Sequence, residues 1–405
     1  MAEKQLDIAT RVVHAGERTG WPTGLPASTP IYASTTFTYA SMADADAVLG
    51  GEKQGYIYTR YGNPTVTALE QAMLALEGGI AAVAYASGMA ALHAAVLACE
   101  LSPGSVIVAS RDLYGATLDL LVLLFGQFNI KTVTADFSDL ASLAAVVAEN
   151  RPRILIAETI SNPLLKVCDI DACAEIAHSN NARLIVDNTF ATPYLCRPFE
   201  HGADMVVHSA TKYLSGHADA MGGLVVIKER TEHDALISIM KLAGGVLNPY
   251  EAHEILRGIK TLALRMERQC SNALRVASEL QSHPAVSRVN YPALNPTNQA
   301  IAQRILRPGT TGAMISMHLA DDTKEAAFRC MDALRLCVRA TSLGDVFTEV
   351  LHPTTSSHRE MSPARRHQAG ITDGLIRFSI GIEDVNDILA DVRQALDATA
   401  RTAAL

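Results

Sequence analysis

Two charged residues are placed where a charge needs a reason. Asp187 closes the apolar run Arg183-Leu-Ile-Val-Asp187, and a carboxylate at the end of a buried strand is costly unless it meets a cation. Capping of a following helix is the plain structural alternative. Lys212 follows the next apolar run, Asp204-Met-Val-Val-His208, within Ser209-Ala-Thr211-Lys212-Tyr-Leu-Ser-Gly216-His217. A lysine in a desolvated pocket gives up its proton and can form a Schiff base with an aldehyde, and hydroxyls such as those of Ser209 and Thr211 suit a phosphate. The 25 residues from 187 to 212 match one strand-helix-strand crossover, so both side chains can face one cavity. A third piece, Ser87-Gly88-Met89, falls where an apolar run gives way to a helical pattern. Its amides and the helix dipole can form an anion site there.

An amine, a carboxylate and an anion cup are the three groups that pyridoxal phosphate (PLP) requires. Its aldehyde takes the lysine, its ring nitrogen needs a carboxylate to stay protonated, and its phosphate needs hydroxyls and backbone N–H donors.

Such groups must be positioned by a sheet. Seven short apolar runs read as strands: Ala81–Ala86, Ser105–Ser110, Lys131–Ala135, Arg153–Glu158, Arg183–Asp187, Asp204–His208 and Gly223–Lys228. Helical patterns lie between them at Met89–Glu100, Ala116–Phe125, Leu140–Glu149 and Ile170–Ser179. Near-continuous Val, Ile and Leu imply strands covered on both faces, hence a mostly parallel sheet flanked by helices. Ligands of such sheets sit beyond the strands' carboxyl ends. Residues 1–62, rich in Thr, Ser, Tyr, Gly and Pro, read as an extended arm laid on a neighbouring subunit. Residues 63–250 read as the large ligand-binding domain and 251–405 as a smaller α+β domain. The latter carries helices Glu251–Arg265, Ser271–Gln281 and Asp384–Thr399, and strands Val286–Tyr291, Gly312–His318 and Leu375–Ile380.

The run Asp187-Asn-Thr189 followed by Ser209-Ala-Thr-Lys212-Tyr-Leu-Ser-Gly-His217 resembles the Cys/Met-metabolism enzymes dependent on PLP, and the resemblance covers nearly the whole chain. It implies an α/β, aspartate-aminotransferase-like fold (fold type I) with a seven-stranded sheet, and a homotetramer built from tight dimers. By matching motifs, Lys212 is expected to join the cofactor, Asp187 to hold its ring nitrogen, and Tyr114 to stack on its face and assist proton transfer. Ser87, Gly88, Met89, Thr189, Ser209 and Thr211 are expected around the cofactor and its phosphate, and Asn162 near its phenolic oxygen. Tyr58 and Arg60, in Tyr58-Thr-Arg60-Tyr-Gly-Asn63-Pro, are expected to reach a neighbouring subunit's site. Arg377, with Ser342 nearby, is expected to bind the substrate carboxylate, with Tyr58 also on the substrate side. His217 is left without a role. Singly, a Tyr or Arg of this kind is more often packing or solvated surface; the ordered set reverses that reading.

The resemblance implies γ-elimination on a sulfur amino acid of the methionine or cystathionine type, or γ-replacement as in cystathionine γ-synthase or a homoserine-ester sulfhydrylase. Many methionine γ-lyases carry Cys where this chain has Ala116. Several cystathionine enzymes carry Glu where it has Thr341. Gly216-His217-Ala218-Asp219 is a pattern that the sulfhydrylases often lack.

Other classes fit poorly. With 34 Lys and Arg against 42 Asp and Glu, a formal charge of −8 and one Trp, no basic surface for nucleic acid is expected. Neither Gly-x-Gly-x-x-Gly after the first strand nor a Gly-Lys-Ser/Thr loop is present. Seven scattered cysteines without Cys-x-x-Cys spacing suggest neither a metal site nor disulfides. They fit a reducing cytoplasm, as does a start (Met-Ala-Glu-Lys-Gln-Leu-Asp) without a secretory apolar core. The charge-free stretch Gly78–Cys99 is long enough to span a bilayer, but its glycines, Ser87 and His93 mark buried α/β core instead.

Overall fold

The computed structural model describes residues 6–17 and 26–402. Seven strands form the larger sheet: β1 (Ala81–Tyr85), β2 (Val106–Ser110), β3 (Lys131–Ala135), β4 (Ile154–Glu158), β5 (Arg183–Asp187), β6 (Met205–Ser209) and β7 (Gly223–Ile227). Their order is β1-β7-β6-β5-β4-β2-β3, and β7 alone runs against its neighbours β1 and β6. Both faces are covered, as the apolar runs require. Leu155 and Ala157 of β4 pack into one core cluster, while Ile154 and Ile156, pointing the other way, pack into a second. Each such side chain contributes roughly 1.5–3 kcal/mol on burial.

The segment read as an extended arm is not wholly extended. It carries helices α1 (Ile8–His14) and α2 (Met42–Leu49). The Asp7 carboxylate caps α1, and Ile8 and Val12 are buried. Too few apolar positions occur in seven residues for periodicity to reveal such a helix. Between α2 and residue 62 the chain lacks regular structure apart from an isolated bridge between Thr36 and Tyr58. Asn63 and Pro64 then start α3 (Pro64–Glu77), the Asn63 side chain accepting the Thr65 N–H. Helix α4 (Gly88–Leu97) opens directly off β1, capped by Ser87.

A second sheet is built from β8 (Val286–Asn290), β9 (Met314–Leu319), β10 (Val338–Arg339), β11 (Glu349–Leu351) and β12 (Leu375–Ser379), ordered β10-β11-β12-β9-β8. It has its own core, in which Ile315 and Phe378 meet Val276, Ala326 and Ile388 from three helices. The helix expected at Glu251–Arg265 is two helices, Pro249–Ile259 and Leu262–Leu280. Arg265 explains the break: it reaches back to the Gly258 carbonyl (2.9 Å) and the Thr261 hydroxyl (3.1 Å), satisfying groups that a continuous helix would use. All seven cysteines are buried and unpaired. Among the described residues no helix is long and apolar enough to cross a membrane, and no His, Cys, Asp and Glu group is arranged to hold a metal.

Candidate active site

A cavity of about 540 Å³ opens at the carboxyl ends of the large sheet and is closed on its far side by the second sheet. Ser87, Gly88, Met89, Tyr114, Asn162, Asp187, Thr189, Ser209, Thr211, Lys212 and Arg377 all line it. Residues up to 290 positions apart in the chain, Ser87 and Arg377, therefore converge as the sheet topology demands.

The floor is Asp187 at the end of β5. Its Oδ1 accepts the Thr189 N–H at 2.9 Å, while burial raises its proton affinity above the ordinary carboxylate value. The nearby His208 opposes that rise. A carboxylate so desolvated is stabilised by a cationic N–H donor, which is what a protonated pyridine ring offers. Glu158, at the matching end of β4, also lines the cavity, and sequence reasoning missed it. Its Oε1 accepts the Tyr114 N–H (2.7 Å) and its Oε2 the Asn162 N–H (3.1 Å). Burial, then the neighbouring Asp187 charge, pushes the Glu158 carboxyl well above its usual range. Its position as the last residue of an apolar strand is the same signal that singled out Asp187.

The anion cup forms where β1 meets α4. The first amides of α4 have no partner within the helix, and the Ser87 hydroxyl accepts only one of them, from Ala90 at 3.1 Å. The cup depends on Gly88: a Cβ there would sit 2.8 Å from Ser209 Cβ and 2.9 Å from its Oγ. Ser209 is set in turn by Thr189, whose Oγ1 accepts the Ser209 N–H at 2.8 Å. The Thr211 hydroxyl accepts the Gly222 N–H (3.1 Å), tying the lysine turn to the start of β7. Amides, two hydroxyls and a glycine-made space fit a phosphate.

Lys212 Nζ donates to Ser342 Oγ at 3.1 Å. Burial, and then the charge of Arg377, lower its proton affinity, while Glu349 and Asp345 work against that shift. The neutral amine needed for attack on an aldehyde is thereby favoured. The turn after Lys212 is pressed by Gly344, which has φ +88° and whose missing Cβ would fall 2.6 Å from the Tyr213 backbone nitrogen.

Arg377 is buried on β12. Its Nη1 donates to Asn162 Oδ1 and its Nη2 to the Ser342 carbonyl, both at 2.9 Å. The Nε–H finds no protein partner, so a donor edge of the guanidinium is open to a carboxylate. Asn162 thus braces Arg377, a contact across 215 residues that no local motif encodes.

Tyr58 and Arg60 do not line this cavity. Arg60 donates to the Lys241 carbonyl and lies over the rings of Tyr61 (4.8 Å) and Tyr58 (5.8 Å). His217 is exposed, with Nδ1 on the Ser215 carbonyl at 2.6 Å, and is likewise outside the cavity. Ser356 and Ser357, unforeseen from the sequence, form part of the wall.

The chain was compared with known proteins. The family model described as Cys/Met metabolism PLP-dependent enzyme matches residues 9–397. An L-methionine gamma-lyase of Fusobacterium nucleatum subsp. polymorphum is 41% identical over 400 residues, covering 98% of this chain and 100% of the relative. A cystathionine gamma-synthase of Mycobacterium bovis is 39% identical over 389 residues, 96% of each chain. The crystal structure of cystathionine gamma synthase from Xanthomonas oryzae pv. oryzae, in complex with aminoacrylate and cysteine, superposes with a TM-score of 0.91 at 36% identity, covering 98% of this chain and 100% of that one. The seven-stranded α/β architecture is accordingly that of the fold type I PLP enzymes. With the donor set above suited to ring nitrogen, phosphate and aldehyde alike, the match along nearly its whole length places this chain among the Cys/Met metabolism PLP-dependent enzymes.

Proposed function

We propose that the protein catalyses PLP-dependent γ-elimination on a sulfur amino acid of the methionine or cystathionine type, giving a 2-oxo acid, ammonia and a thiol. The observation that carries this reading is the bridge from Lys212 through Ser342 to Arg377, which sets an amine beside a carboxylate-binding fork at amino-acid spacing. The likeness to methionine gamma-lyases supports it.

When bound, the cofactor supplies an aldehyde for the substrate amine and a ring that stores the electron pair released at Cα. Asp187 keeps the ring nitrogen protonated. Arg377 orients the α-carboxylate through its free edge, braced by Asn162. Lys212, once released, removes the Cα proton and carries protons between Cα and Cβ. Tyr114 covers the cofactor face and delivers a proton to the departing sulfur. Ser87, Gly88, Met89, Ser209 and Thr211 hold the phosphate, with Thr189 fixing Ser209.

A second reading, γ-replacement, shares these steps up to the fate of the unsaturated intermediate; the cystathionine gamma-synthase likeness favours it. Incubation with methionine, cystathionine, homocysteine, O-acetylhomoserine and O-succinylhomoserine, with and without cysteine, separates the two. Formation of 2-oxobutanoate from the thioethers is expected. Reaction of only an ester plus cysteine would reverse the order.

The arm, large domain and smaller α+β domain are proposed as units of a cytoplasmic homotetramer in which Tyr58 and Arg60 face a neighbouring subunit's phosphate. That both lie outside their own chain's cavity supports this arrangement. Light scattering should give four chains, and Arg60→Ala should weaken cofactor affinity; a monomer with unaltered affinity would refute it.

A further inference from the structure

Behind the cavity wall lie two buried carboxyl groups that the steps above leave unused. Glu349 is 2% exposed and Asp345 1%. In the β11–β12 ladder Glu349 pairs with Ser379 and Leu351 with Arg377. Alternation along a strand therefore puts Glu349, Leu351 and Arg377 on one face, the face that meets the cavity through Leu351 and Arg377. Asp345 lies in the connection from Ser342 to β11. Its Oδ1 accepts the Ala218 N–H at 2.8 Å, from the loop after Lys212. Its backbone carbonyl accepts from Gln269 Nε2 at 2.7 Å.

The two carboxyl groups hydrogen-bond to one another, and neither Asp345 Oδ2 nor Glu349 Oε2 has any other donor. Two ionised carboxylates cannot make that contact, because each offers only acceptors. A proton between them makes it possible. The charged and titratable groups around the pair come from every neighbouring element: Lys212 and Tyr213 from the lysine turn, Arg377 from β12, and Arg265 from helix Leu262–Leu280.

We propose that Glu349 is a positioning residue for the reaction: with Asp345 it holds one proton in a buried carboxyl pair, whose charge acts on Lys212 and sets how readily that amine takes and releases protons. The inference rests on the role given to Lys212 under the proposed function. Burial, then the Asp345 charge, raises the Glu349 carboxyl to about 7. Near neutrality the pair passes from one negative charge to two, and the second charge favours the protonated form of Lys212.

Two measurements test this. Infrared spectra of cofactor-free wild type carrying 13C in its glutamate carboxyls should show a protonated glutamate band at pH 6 that fades by pH 9; this needs no variant. No such band would overturn the shared proton. In the PLP-loaded enzyme, the visible absorbance of the cofactor joined to Lys212 is titrated in wild type and Glu349→Gln. The amide mimics the protonated acid but cannot ionise. Its apparent midpoint should fall by on the order of one pH unit, as for a unit charge removed several ångströms away at an effective dielectric near 20. Equal midpoints would overturn the action on Lys212. Both results are independent of which substrate turns over, so a failed γ-elimination assay would leave them standing.

Discussion

Glu158 and Asp187 stand in register at the carboxyl ends of adjacent parallel strands, two acids side by side with different work. Asp187 faces the place of a cation. Glu158 spends both oxygens on the amides of Tyr114 and Asn162. In Glu158→Gln one of these amides would meet an NH2 group instead of an acceptor. A buried donor left unpaired costs about 1–3 kcal/mol. The variant is expected to retain the cofactor, melt earlier and turn over about tenfold more slowly as Tyr114 loosens. An unchanged melting temperature and kcat would contradict this role.

Asp187→Asn removes the charge that keeps the ring nitrogen protonated. A fall in kcat of about 10³-fold, near 4 kcal/mol, is expected with the cofactor still visible by absorbance. A loss below tenfold would show that Asp187 is not the partner of the ring.

Gly88→Ala puts a methyl group 2.8 Å from Ser209 Cβ. Either Ser209 or the start of α4 must move, and both shape the phosphate cup. Equilibrium dialysis should give a cofactor Kd raised by about 10- to 100-fold, or 1.4 to 2.7 kcal/mol, with the circular dichroism of the wild type. Undiminished affinity would place the phosphate elsewhere.

Arg377→Lys keeps the charge but loses the planar fork and cannot hold Asn162, Ser342 and a carboxylate at once. A hydrogen bond to a charged group contributes about 1.5–3 kcal/mol, so KM for an amino-acid substrate should rise about 10- to 100-fold. Restoration of wild-type KM by lysine would argue against a bidentate contact.

The acid limb of stability should show His318. Arg288 donates to its Nε2 at 2.6 Å, so the ring is neutral and Nδ1–H serves the Thr372 hydroxyl at 3.0 Å. Burial, and then Arg288, depress the ring to about 4. In the unfolded chain its value is about 6.5, so the unfolded state binds more protons between these limits. Stability from this group is complete above about pH 6.5 and is lost as pH falls to about 4, by on the order of 2–3 kcal/mol. Urea titrations at pH 7 and 4.5 should show a smaller difference for His318→Gln than for wild type. Equal differences would mean that the imidazole accepts its proton in the folded state.

What could be read from the sequence was chemistry tied to strand ends. Lys212, Asp187, Ser87, Gly88 and Arg377 were legible because a charge or glycine at the end of an apolar run is locally anomalous. All seven strands of the large sheet were legible for the same reason: their burial on both faces leaves unbroken Val and Ile runs. The second sheet was less so. β10 and β11 span two and three residues and include Arg339 and Glu349, so no alternation betrays them. Contacts such as Asn162 with Arg377, or Glu158 with the Tyr114 amide, depend on how separate elements dock, and nothing within a window of sequence specifies docking.

The bare backbone of Gly344 pressed against the lysine turn has a practical consequence. It makes catalytic alignment sensitive to side-chain volume at a point that no bound molecule touches. A search for inactivating alleles confined to the walls of the cavity would pass over it. A single methyl group added there would act as a wedge, tilting the reactive amine out of line while every group that meets the substrate keeps its identity.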